Sequence, residues 1–320
     1  MRRLKVGNLT YQVLDRGLAF LSMTLKTIIG VTVLLTTLLS VSFGQKSMRD
    51  EIRKWRLVHE REIKADNGWL TVSGLFWLKP GVNTLGSAPD QNIVLPASAK
   101  AEKVGSLEMS QAGVILRVAE GVTVLVNDET VREYEMTFKS EKPPESFRVG
   151  ALILSVIKRG NRVGLRVRDL NSRVRSEFKG LHWFPIRESY RVTADFLPDS
   201  EPKEITIMNV LGDELKMKSP GLLSFKLNGK SFQLRPVIED DKLFILFRDR
   251  TAGKSTYGAG RFLYAEMPKD GKVVLDFNRA ENPPCAFTPY ATCPLPPRQN
   301  RLPIAITAGE LNTHLEAQRP

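Results

Sequence analysis

Residues 162–168 read Arg-Val-Gly-Leu-Arg-Val-Arg. An extended strand alternates its side chains, so Arg162, Arg166 and Arg168 share one face while Val163, Leu165 and Val167 point to a core. With Lys158, Arg159, Arg173 and Arg175 the segment carries seven cations against a single acid, Asp169. That face reads either as a solvated one neutralised by acids elsewhere or as an anion-binding surface. Outward in both directions the texture stays β. Short runs at 114–118, 122–126, 152–157, 205–210, 222–227 and 243–247 are β-branched or aromatic, and Gly, Pro, Asn and Asp clusters separate them. Between Trp69 and Ala308 no amphipathic helix and no exact repeat stands out. The chain is therefore expected to be mainly β, with two β-sandwich or barrel-like modules over 68–180 and 181–310 and a crossing point at 178–190. A charged helix over 45–67 precedes them, and a short tail, 311–320, follows.

The amino terminus reads as a signal peptide over 1–44. Residues 28–43 are free of charge and fall short of the roughly 20 residues that span a bilayer. Lys26 precedes the run, and Ser42 and Gly44 supply small residues where a signal peptidase reads. Met23 stands just ahead of the apolar run and is the alternative start. Cleavage after Gly44 would export the protein to the periplasm or medium with no stable membrane anchor; an uncleaved signal anchor is the competing reading. The helix that follows sets Ile52, Trp55 and Val58 at three-residue spacing, a narrow apolar stripe among charged residues.

Of 320 residues, 47 are Lys or Arg and 35 are Asp or Glu, a formal net charge of +12. In an exported protein this balance suits anionic glycans or other small polar ligands better than nucleic acid, which is not an expected partner. Two cysteines and three histidines exclude a disulfide-dense scaffold and make a histidine-rich metal centre improbable, so no metal is assigned. Familiar catalytic and cofactor patterns fail in turn. His59-Glu60 opens the H-E-x-x-H zinc motif, but Ile63 occupies the second histidine position. Gly253-Lys254-Ser255 ends like a phosphate-binding loop, but Arg248 stands where its first glycine belongs. There is no G-x-S-x-G elbow, and Cys285 has no histidine placed beside it by any local pattern. No cofactor is expected.

Cys285 and Cys293 lie in a segment crowded by Pro283, Pro284, Pro289, Pro294, Pro296 and Pro297. In an oxidising compartment they read as a disulfide closing a small loop, contributing about 2.5 kcal/mol. A metal held by both thiolates is the alternative, without obvious histidines to complete it.

Two resemblances accompany these readings. Gly81-Val82-Asn83-Thr84-Leu85-Gly86-Ser87, then 92–96 and 122–127, follow the rhythm of forkhead-associated sandwiches. The family's phosphothreonine-reading arginine and its Ser-x-x-His motif are missing here, so the resemblance implies a sandwich and no phosphopeptide binding. The carboxy-terminal hundred residues are richer. Asp276-Phe277-Asn278 leads into Asn282-Pro283-Pro284-Cys285-Ala286-Phe287, followed by Cys293-Pro294-Leu295-Pro296-Pro297, Asn300-Arg301-Leu302 and Ala308-Gly309-Glu310. With Gly68-Trp69-Leu70 and 74–78, this strongly resembles a widespread, mainly bacterial family of domains of unknown function. That resemblance implies no reaction.

The candidate site follows from strand order. Segments 243–247, 261–267 and 272–277 read as three consecutive strands, the last two joined by a tight turn at 268–271. An up-down-up meander would bring Asp249, Arg261, Asp276 and Asn278 to one rim, beneath a loop carrying Tyr257, with Asn300 or Glu310 completing a polar pocket. A binding module is the first reading of this rim; in the alternative, a hydrolase, Asp249 and Asp276 would be the catalytic carboxylates. Tyr257, Arg261, Asn278, Asn300 and Glu310 would hold a small polar or glycan-type ligand. An Asp–Arg–Asp network that only pins the proline-rich loop is the structural alternative.

Overall fold

The computed structural model describes residues 48–136 and 145–312. The expected signal peptide, the alternative start at Met23 and most of the tail lie outside them. The chain divides into two compact units, 1–54 and 55–320. Described residues of the first, 48–54, are helical, and Arg53 pairs with Asp50 at 3.1 Å. The helix, α1 (48–64), runs on into the second unit, where Trp55, Arg56, His59 and Ile63 are its least exposed positions near the site described below. Val58, placed on the apolar stripe by its spacing, is exposed, because the inward face steps by three and then four through residues 56, 59 and 63. No described helix is long and apolar enough to cross a membrane.

The rest is mainly β, as expected, with several sheets and no closed barrel among the described residues. A six-stranded sheet runs in the order β1 (Val72–Trp77), β11 (Arg162–Asp169), β10 (Leu152–Arg159), β9 (Ser146–Val149), β6 (Leu125–Val126) and β7 (Glu129–Thr130). A five-stranded sheet runs β3 (Ile93–Val94), β2 (Gly81–Gly86), β4 (Gly105–Met109), β5 (Val114–Val118) and β8 (Glu133–Met136). Leu85, Leu107, Leu116, Phe147, Leu154 and Leu165 meet in the core between them, which is the sandwich that the alternation predicts.

Downstream, a four-stranded sheet is ordered β14 (Lys230–Leu234), β13 (Glu214–Leu227), β12 (Arg191–Met208) and β18 (Lys272–Asp276). A three-stranded sheet is ordered β15 (Val237–Glu239), β16 (Lys242–Phe247) and β17 (Arg261–Ala265). β16 is buried on both faces: Leu243, Ile245 and Phe247 enter one core with Leu223, Leu275 and Phe277, while Phe244 and Leu246 enter a second with Ile207 and Phe262. Burial on both sides explains why 243–247 is a continuous apolar run rather than an alternating one.

Two expectations need correction. The meander β16-β17-β18 does not form. β16 and β17 pair, but β18 pairs with β12, setting Asp276 opposite Arg191. The edge of β17 that β18 would have used is taken instead by the returning chain, with Phe262 and Glu281 exchanging backbone hydrogen bonds of 2.9 Å in both directions. The arginine face of β11 is also not open along its whole length. Arg162 fits the solvated, acid-neutralised reading: its side chain is 41% exposed, pairs with Asp213 at 2.5 Å and lies over Trp77 at 4.1 Å. Arg166 departs from it, being 6% exposed and lying under Trp69, 5.1 Å from the ring centroid.

Candidate acid-base site

The residues marked out by the strand argument fall into five groups with different partners. Asp249 and Arg261 do meet, at 2.6 Å with both side chains 1% exposed. Arg261 also donates to the carbonyls of Ala308 and Ile306, and Asp249 accepts from the Thr251 amide and hydroxyl and from the Ile306 amide. Burial lowers the Arg261 pKa against the opposing field of Asp249. Asp276 belongs elsewhere: its Oδ1 accepts from the Asn278 amide and side chain, and its other oxygen is 3.9 Å from Arg279. Asn278 in turn clamps the backbone of Arg187 from both sides, at 2.9 Å each. Asn300 grips Arg235 in the same way. The Tyr257 hydroxyl donates to the Cys285 carbonyl at 3.2 Å, and burial pushes the phenol up to about 12. Tyr257, Phe262, Cys285, Cys293 and Pro296 line a largely apolar crevice with no room for a ligand. Both cysteines are free thiols here, hydrogen-bonded to each other, and the Cys285 amide donates to Cys293 Sγ at 3.2 Å. Most of these polar groups have their capacity taken up by backbone, which is the geometry of a pinned loop.

Glu310 leads to a different centre. Its carboxylate is fully buried and accepts from the Asn282 amide and the Asn282 carboxamide, both at 2.9 Å. Its backbone amide donates to Ala280, and it bridges Trp183 on the other side. Gly309 makes this approach possible. Its φ of +83° lies in the left-handed region, and a Cβ there would stand 2.5 Å from the Ala280 carbonyl. Segments holding Trp183, Glu310, Ala280–Glu281 and Phe262 thus lie side by side, and Glu281 and Glu310 come together.

His59 of α1 is set between them. Its Nδ1 is 3.4 Å from Glu281 and its Nε2 is 3.7 Å from Glu310. One helical turn earlier, Trp55 stacks on the imidazole with centroids 5.2 Å apart and planes 8° from parallel. Trp183 meets both rings edge-on, and Arg56 covers the indole of Trp183 at 4.6 Å. Arg56 is fixed by donating to the carbonyls of Phe184 and Asn278, and burial brings its guanidinium down to about 10.

The electrostatics are unusual. Burial opposes charge on His59, but the Glu310 contact and the fields of Glu281, Glu310 and Glu62 outweigh it and raise its pKa above the ordinary value. Burial raises Glu281 to about 7, His59 working against the rise and Glu310 adding to it. A carboxyl that exchanges its proton near neutrality therefore lies beside an imidazole whose proton affinity is raised. Nε2 of His59 is buried with no hydrogen-bond partner of its own. No group of three or more His, Cys, Asp or Glu side chains among the described residues has metal-binding geometry.

Residues 176–311 match the model of the family described as protein of unknown function (DUF1684). No curated protein matches the chain. A solved structure, the solution NMR structure of an uncharacterized protein of Haloarcula marismortui, is 36% identical over 44% of this chain and 80% of its own, with a TM-score of 0.38. The DUF1684 match contains Trp183, Glu281 and Glu310 but not His59, Trp55 or Arg56, which the helix supplies from outside it.

Of this centre, only Glu310 is legible from the carboxy-terminal motifs. Glu281 stands immediately before Asn282-Pro283-Pro284, with nothing in the motif to mark it as titratable near neutrality. His59 belongs by sequence only to a zinc motif that lacks its second histidine. The signal available was the Trp55/His59 pair at i, i+4 on a helix otherwise covered in charge.

Proposed function

We propose that the protein binds a small polar ligand and acts on it by acid–base chemistry at His59, Glu281 and Glu310. The observation that carries this reading is the buried imidazole between two carboxyl groups, one of which titrates near neutrality. Titratable neighbours driven to different proton affinities are the usual arrangement of a catalytic acid and base. Glu281, 16% exposed at its side chain, would take a proton from water or from a ligand hydroxyl. His59 would deliver one to a leaving oxygen, with Glu310 holding the imidazole in its cationic form. Trp55 and Trp183 wall the centre and keep its dielectric low, which favours such transfers. A hydrolase is the class that fits. Asp249 is a poor candidate for its carboxylate, since both its oxygens are engaged by fixed partners. Asp276 is better read as the brace of the turn that presents Glu281. Export of the chain and oxidation of Cys285 with Cys293 form part of the same proposal, because such a ligand would be met outside the cytosol.

The test is turnover on a panel of esters, phosphates and glycosides. The expected outcome is activity against one class, reduced about 10²- to 10⁴-fold in Glu281→Gln and in His59→Ala. Full activity in folded Glu281→Gln protein, or no turnover of any member by the wild type, would dismiss the acid–base reading.

A further inference from the structure

Asn300 joins two segments that then diverge. Its carboxamide donates to the carbonyls of Arg235 and Leu246 at 2.9 and 2.8 Å and accepts the Arg235 amide at 2.8 Å. This pins the end of β14 to the turn at Arg298–Asn300. Beyond the pin, β14 and the chain after Asn300 open into a groove of about 480 Å³, within the range of small-molecule sites. β14 is the outermost strand of its sheet, so nothing in the ladder fills the space beside it. Ser224 lies opposite Gln233 in the β13–β14 ladder, and Ser231 is two residues from Gln233, so all three share one face. Gln299 and Arg301 complete the polar part of the wall, and Pro303 adds an apolar edge; Phe232 alternates to the other face of β14 and packs on the core.

The composition of that wall is selective. Two hydroxyls and two carboxamides can each both donate and accept, and a guanidinium offers a fork of donors. None of these five side chains has a hydrogen-bond or ion-pair partner among the described residues, and no acid lines the groove. Arginines nearby are engaged: Arg235 pairs with Asp199 at 2.5 Å, and Arg248 donates to the Gly258 carbonyl at 3.0 Å. Arg301 is the guanidinium of the groove left to meet a ligand. Mixed donors and acceptors suit a ring of hydroxyls, Pro303 offers a small apolar edge, and an arginine fork suits a carboxylate. We propose that this groove binds an acidic sugar, a polyhydroxylated ring bearing a carboxylate, as found in an anionic glycan. It shares no residue with the His59 centre, and the proposal stands without that centre being catalytic.

Calorimetric titration of the whole chain with a glucuronic-acid-containing disaccharide tests it, alongside the matching neutral disaccharide and acetate. Saturable binding of the acidic sugar is expected. It should weaken at least tenfold for the neutral disaccharide, for acetate and for Arg301→Gln, and severalfold for Gln233→Ala, while His59→Ala binds as the wild type does. Arg301 is exposed, so an unchanged unfolding midpoint should accompany the loss in Arg301→Gln. Absence of saturable binding, equal affinity for the neutral sugar, or undiminished binding by Arg301→Gln would overturn the proposal. Loss of binding in His59→Ala with Arg301→Gln unaffected would overturn it too, by moving the sugar to the acid–base centre.

Discussion

Glu281 makes the pH dependence of stability a local property. Its folded pKa is about 7 against 4.5 for a free side chain. A raised carboxyl pKa means that the folded state binds the proton more tightly, so stability is fully present below about 4.5 and is lost as pH rises through 7. His59, also raised, has the same sign: its contribution is present below its ordinary value and lost at higher pH. Both groups therefore make the protein less stable on the alkaline side of neutrality. Glu281→Gln removes the larger slope. Denaturant unfolding at pH 5 and pH 8 should show the wild type losing on the order of 2 kcal/mol, after allowance for the partial exposure of Glu281, and the variant losing markedly less. Equal slopes in the two proteins would mean that Glu281 does not titrate in this window.

At the scale of elements, the proline-rich segment between Cys285 and Cys293 has almost no ladder to hold it. Pro284–Ala286 forms one short 3-10 turn, and Asn209 and Pro294 make a single bridge. Side chains do the rest, notably the Tyr257 hydroxyl on the Cys285 carbonyl and the Thr288 hydroxyl on the Val72 carbonyl at 3.0 Å. The two thiols are neighbours in this segment, the Cys285 amide donating to Cys293 Sγ at 3.2 Å. Protein produced by export should have the mass of the disulfide form, two hydrogens below the reduced chain. Cys293→Ala should then lower unfolding stability by about 2–3 kcal/mol relative to the oxidised protein. Two free thiols in the exported protein, found by mass spectrometry without reduction, would remove the bridge from the account.

For the whole molecule, Arg162 ties the first sandwich to the β12–β13 turn through Asp213, while Arg162 and Arg166 stack on Trp77 and Trp69 beside their own sheet. Arg166 is the deepest of them: it has no carboxylate partner, its Nε is unsatisfied, and burial brings its pKa down to about 10. A buried cation without an acid seldom stabilises a fold, and an apolar side chain of similar length is tolerated in its place. Arg166→Met should leave unfolding stability unchanged or raise it by about 1–2 kcal/mol in a thermal or denaturant melt. A loss of more than about 2 kcal/mol would show that the stack of the charge on Trp69 itself stabilises the fold.

Much of the fold was legible because its signals are local. Period-two alternation marked β11, Gly-rich turns bounded the short strands, and the continuous run at 243–247 marked β16. Strand partners were not legible. β17 and β18 follow one another through a tight turn, yet β18 joins β12 because the returning Ala280–Glu281 segment occupies the edge beside Phe262. Nor does alternation say what covers a polar face: Trp77 and Trp69 lie against Arg162 and Arg166 of β11. The site divides along the same line. Composition and motif directed attention to Asp249, Arg261 and Glu310, and the first two proved to be a buried brace. His59 and Glu281 are 222 positions apart in sequence, and their proton affinities arise from burial and from each other's fields. Local residue types determined which strands could form; only the tertiary structure decided which charges were taken out of water together, because desolvation and Coulomb fields depend on distance in space and not along the chain.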